Sequence, residues 1–84
     1  MRILLVEDDD LLGAGVRDAL ARSHHAVEWV PDGRQALAAL RAGAFDLVIL
    51  DLGLPVLDGI EVLRSLRAGG DTIPVLVLTA RDTA

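Results

Sequence analysis

Two stretches of this sequence put acids where acids are expensive. "ILLV" at 3–6 runs directly into Glu7, Asp8, Asp9 and Asp10, and "LVIL" at 47–50 runs into Asp51 within "FDLVILDLGLP". Short apolar runs of this kind read as buried strands, so each one delivers carboxylates to the rim of a core. If the two strands are neighbours, about 4.8 Å apart, their terminal carboxylates repel and raise one another's pKa. A hard divalent cation removes that conflict. Carboxylate oxygens, a backbone carbonyl and several waters are what Mg2+ prefers, and Mg2+ commonly holds a phosphoryl group against a protein. The chemistry indicated is metal-assisted phosphoryl transfer, with Glu7, Asp8 and Asp51 as the acids.

Their neighbours have plainer readings. A helical stripe begins at Leu11, so Asp9 or Asp10 reads as an N-cap, worth about 1 kcal/mol. Gly53 either permits a turn or lets a backbone carbonyl approach an ion, and Pro55 shapes the loop. Thr79 precedes Asp82 by three residues in "TARD". It reads as a capping-box-like helix start, as a hydroxyl that donates to a phosphoryl oxygen, or as both. His24 and His25 lie next to one another before a strand with no third ligand in register, and read as loop. Trp29 reads as packing at a strand end.

The elements that must position the acids follow from periodicity. Apolar runs at 3–6, 26–30, 47–50 and 75–78 predict strands, with helical patterns between them. The first helix carries the stripe Leu11, Leu12, Gly15, Val16, Ala19 and Leu20; the second Ala36, Leu37 and Leu40; the third Ile60, Leu63 and Leu66. Pro31-Asp32-Gly33, Ala42-Gly43, Asp58-Gly59 and Gly69-Gly70-Asp71 mark boundaries. Strands that are apolar throughout predict a parallel sheet covered on both faces, and right-handed crossovers make it doubly wound. Ligands bind such sheets beyond the carboxyl ends of the strands, where Glu7, Asp8, Asp51 and Thr79 fall.

Composition narrows the class. The chain has 84 residues, one domain at most, with 13 acids against eight arginines and a net charge of −5. That balance disfavours nucleic acid and anionic membranes as direct partners. Cysteine is absent, so disulfides and thiolate metal sites are excluded. No apolar run approaches the roughly 20 residues of a membrane helix, and no signal peptide is visible, which predicts a cytoplasmic protein.

In order and spacing, "ILLVEDD", "VILDLGLPVLDGIEVLR" and "PVLVLTARD" resemble the receiver domain of bacterial two-component response regulators, in the wording of its winged-helix transcription-factor branch. The resemblance covers essentially the whole chain, 1–84. It implies a flavodoxin-like (CheY-like) fold of strand order 2-1-3-4, and Asp51 as acceptor of a phosphoryl group from a sensor histidine kinase. It also implies Mg2+ held by Glu7, Asp8, Asp51 and the Gly53 carbonyl, with Thr79 as the switch hydroxyl. Such a domain is no enzyme beyond its own phosphorylation and dephosphorylation. The family continues through a fifth strand bearing a lysine and a last helix, and this sequence, which contains no lysine, stops at Ala84. The resemblance therefore implies a C-terminally incomplete receiver, with DNA contacted only through a missing domain and the fourth strand open to self-association.

Two rivals stay open at this level. Asp8-Asp9-Asp10 also fits the Asp-x-Asp motif of haloacid-dehalogenase-type phosphotransferases, with Asp8 as nucleophile and Thr79 as second motif, although it leaves Asp51 without a role. A protein-interaction module without phosphoryl chemistry is the other. P-loop and dinucleotide binding are excluded, since no glycine fingerprint follows the first strand.

Overall fold

The computed structural model describes residues 1–78. Strands and helices alternate as β1 (Arg2–Val6), α1 (Asp10–Arg22), β2 (Ala26–Val30), α2 (Gly33–Ala42), β3 (Leu47–Leu50), α3 (Gly59–Ala68) and β4 (Val75–Val77). All strand pairs are parallel and the order is β2-β1-β3-β4, as the apolar runs and the crossover rule require. β4 is one residue shorter than expected, although the Leu78 N–H still donates to Leu50 O at 2.8 Å.

Alternation along β1 and β3 divides the core in two. Leu4, Val6, Val48 and Leu50 face α2 and α3, where Ala36, Val62 and Leu66 complete a buried cluster. Ile3, Leu5 and Ile49 face the other way, against Val16 and Leu20 of α1 and against Trp29. Full burial of a Leu or Ile stabilises by about 1.5–3 kcal/mol, so the two central strands carry the sheet. Coverage on both faces holds for that central pair only. β2 and β4 are edges among the described residues; alternate side chains of β2, Ala26 and Glu28, are exposed, and on β4 Leu76 and Val77 are.

Two helix faces differ from the expected stripes. On α1 the buried position is Gly13, with Val16 and Leu20 half-buried, whereas Leu11 is 86% exposed and Leu12, Gly15 and Ala19 are also exposed. The reason lies on β2. The Trp29 indole occupies the space a Gly13 side chain would need, because a Cβ there would overlap Trp29 Cζ2 and Cε2. That turns the glycine toward the sheet and the leucines away. On α3 the fully buried residue is Val62, while Ile60 is exposed.

Helix starts share one device. Asp9 accepts from Leu11 N and Leu12 N at 2.9 and 3.0 Å, Asp32 from Gln35 N at 2.8 Å and Asp58 from Glu61 N at 3.0 Å, satisfying N–H groups that a helix leaves open. The capping reading of the Asp9-Asp10 pair thus falls to Asp9. Gly59 acts by close approach: a Cβ would sit 2.6 Å from Asp51 O and 2.7 Å from Leu52 Cα. The lack of a side chain lets α3 start directly on the backbone that carries Asp51.

Candidate metal and phosphoacceptor site

Register brings the two acidic strand ends together. Val6 of β1 pairs with Leu50 of β3, and the Asp51 N–H donates to Val6 O at 3.1 Å. One residue further, Glu7, Asp8 and Asp51 each present a carboxylate oxygen within 4.8 Å of the others. Three of the sequence-predicted ligands therefore meet at one point. Asp10 is in the first turn of α1 and is not among the three acids of this cluster.

The three acids differ in setting. Glu7 is 1% exposed and Asp51 4% exposed, while Asp8 faces solvent. Glu7 Oε2 accepts from the Asp9 N–H at 3.0 Å, but its buried Oε1 has no hydrogen-bond partner among the described residues. Burial raises the Glu7 pKa from 4.5 to about 7; the Asp9 N–H opposes the rise, and Asp51 and Asp8 add to it. Asp51 Oδ1 accepts from the Gly53 N–H at 3.1 Å, a local turn that holds the carboxylate at the strand end.

This donor set fits a hard divalent cation. It offers three carboxylates as hard oxygen ligands, two of them buried, and one Glu7 oxygen inside the cluster without a hydrogen-bond partner among the described residues. Soft or borderline metals are poorly served, because the cluster contains neither cysteine nor histidine. His24 is exposed, with φ of 66°, and His25 Nδ1 lies 3.2 Å from the amino terminus, so neither joins the cluster. Gly53 is positioned on the same loop, and Thr79 lies outside the described residues.

Sequence reasoning missed a supporting residue. The Trp29 Nε1–H donates to the Glu7 carbonyl at 2.9 Å, so the side chain read as mere packing also contacts the backbone of the acidic corner. The one available signal was the pairing of a lone tryptophan with glycines on the preceding helix.

Comparison with known proteins shows the family and agrees with the fold. The family described as response regulator receiver domain matches residues 3–84. The chain is 52% identical to the transcriptional regulatory protein QseB of Haemophilus influenzae over 83 residues, covering 99% of this chain and 38% of that protein. It is 55% identical to the response regulator protein PmrA of Pseudomonas aeruginosa over 82 residues, covering 98% of this chain and 37% of that protein. It therefore spans little more than a third of the curated relatives it matches. Among solved structures, the BeF3-activated N-terminal receiver domain of Klebsiella pneumoniae RstA superposes with a TM-score of 0.91 at 34% identity, covering 99% of this chain and 70% of that one. The receiver domain of the Francisella response regulator 1452 gives 0.92 at 26% identity, covering 99% and 69%. A parallel sheet of order 2-1-3-4 with the acids of β1 and β3 at one rim, together with a family match over nearly its whole length, makes this chain a member of the response regulator receiver domain family.

Proposed function

We propose that this chain accepts a phosphoryl group on Asp51 from a sensor histidine kinase, with Mg2+ held by Glu7, Asp8, Asp51 and the Gly53 carbonyl. The observation that carries the reading is the meeting of three carboxylates at the ends of adjacent buried strands, one with an orphaned oxygen. Mg2+, when bound, neutralises the acids and screens the charge of the incoming phosphoryl group. Asp51 does the chemistry: a carboxylate oxygen forms a bond to phosphorus as the bond from phosphorus to the donor nitrogen breaks, and the donor histidine leaves neutral. β3 fixes that oxygen in place, so little orientational freedom remains to be lost at the moment of transfer. Thr79 follows β4 in sequence, and its hydroxyl is assigned to the phosphoryl oxygens as the switch group.

The chain acts as substrate and site at once, and turns over nothing but its own acyl phosphate. The names of the relatives support a transcriptional output in the full-length protein, with DNA contacted outside these residues; a cytoplasmic setting is part of the same proposal. No described helix is long and apolar enough to cross a membrane. Among the described residues β4 has one strand neighbour and exposes Leu76 and Val77. Self-association along that edge is part of the proposal, and light scattering tests it: a monodisperse 8.9 kDa species would rule it out.

Incubation with a small phosphodonor and Mg2+, followed by intact-mass and peptide mapping, tests the chemistry. The expected result is partial, slow labelling of Asp51, abolished by Asp51→Asn and by chelation. A phosphoryl group on Asp8 would favour the dehalogenase-type reading instead, and no label on wild type would favour an inert interaction module.

A further inference from the structure

We propose that Trp29 is a positioning residue for the cation site, acting through the peptide between Glu7 and Asp8; the inference rests on the metal reading above. Both backbone groups of Glu7 are held from the end of β2. Its N–H donates to Val30 O at 3.1 Å, and its carbonyl accepts from Trp29 Nε1 at 2.9 Å. A carbonyl and the following N–H share one rigid plane, so fixing the Glu7 carbonyl also fixes the departure of the chain into Asp8. Glu7 and Asp8 are neighbours in sequence with opposite exposures, one buried and one facing solvent. Bringing both carboxylates to one point requires that this plane be held.

The indole is seated for this task. Its inner face fills the place of the missing Gly13 side chain, and the Arg17 guanidinium lies 5.4 Å from the ring centroid. Its body packs beside Ile3, Leu5 and Ile49. The ring is thus held between helix and sheet with its N–H donating to the Glu7 carbonyl. A donor in a fixed ring orients a ligand-bearing backbone as outer partners orient metal ligands elsewhere. Phenylalanine would supply the packing without the donor.

The test uses the 84-residue chain and MgCl2. Mg2+ affinity is measured by calorimetry for wild type, Trp29→Phe, Arg17→Met, and a chain carrying 3-benzothienylalanine at position 29, which keeps the bicyclic shape and replaces the N–H by sulfur. Affinity is expected to weaken about tenfold in the phenylalanine and sulfur variants and to stay within about twofold of wild type in Arg17→Met, which loosens the ring yet leaves its donor. In 15N-labelled wild type, the single indole N–H signal is expected to move during the titration with the same midpoint. Wild-type affinity in the sulfur variant overturns the proposal, and that variant decides the matter if Trp29→Phe does not fold. An equal loss in Arg17→Met and Trp29→Phe overturns it too, by assigning the effect to packing. Absence of Mg2+ binding in wild type overturns the metal reading and this inference with it.

Discussion

Two sets of acids in this molecule have opposite fates. Asp9, Asp32 and Asp58 stand at helix starts, where backbone N–H groups meet their carboxylates and leave them in contact with water. Glu7 and Asp51 stand at strand ends, buried, with a third carboxylate within 4.8 Å. The first set stabilises the fold by ordinary capping. The second opposes it: a charge is desolvated, like charges are brought together, and one Glu7 oxygen is left without a partner. Acids that cost stability are kept for what they bind, and the contrast separates structural from functional carboxylates in a chain rich in both.

The largest expected effect comes from removing the costly charge. Glu7 holds its proton up to about pH 7 in the folded chain against 4.5 ordinarily, so between those values the folded state binds more protons than the unfolded one. Stability from this group is therefore complete below 4.5 and is lost as pH rises through about 7. Glu7→Gln is expected to raise the stability of the cation-free chain by about 2 kcal/mol near pH 8 and to flatten that pH dependence, while Mg2+ stabilisation disappears. Urea melts across pH check this, and an unchanged slope would remove the assigned cost.

Asp32→Ala should do the reverse. Loss of the α2 cap is expected to cost about 1 kcal/mol, with Mg2+ affinity unchanged by calorimetry. A change in Mg2+ affinity would blur the division between the two sets.

The smallest effect isolates strain from charge. Val56, in the loop after Asp51, has a φ of 68°, a region that β-branched residues rarely adopt. Val56→Gly is expected to gain about 0.5 kcal/mol, the relief of strain less the entropy of glycine, equally at every pH. A pH-dependent gain in the same melts would mean that the loop, and not Glu7, carries the titration.

The sheet was legible because its strands are short apolar runs with few competing patterns, and the site because acids close two of those runs. Helix orientation was less so. Leu11, Leu12, Gly15 and Ala19 fit one stripe with Val16 and Leu20 in sequence, yet only the last two turn inward, because Trp29, sixteen residues past Gly13, needs that glycine for space. Ile60 and Val62 posed the same ambiguity on α3, where Gly59 seats the helix against Asp51 and so sets its rotation. The burial of Glu7 beside an exposed Asp8 was equally invisible, since it depends on how one peptide plane is held from β2. Such facts belong to tertiary contacts and leave no local periodicity to read.

Thermal melts with and without Mg2+, on wild type and Asp8→Ala at about pH 8, test most directly whether the buried acids are kept for a cation. A ligand that binds only the folded chain stabilises it by mass action. Mg2+ should therefore raise the wild-type Tm, by less as the pH falls below about 7 and Glu7 takes up its proton, and should leave Asp8→Ala unmoved. An equal rise in both proteins, or none in wild type, would contradict the account.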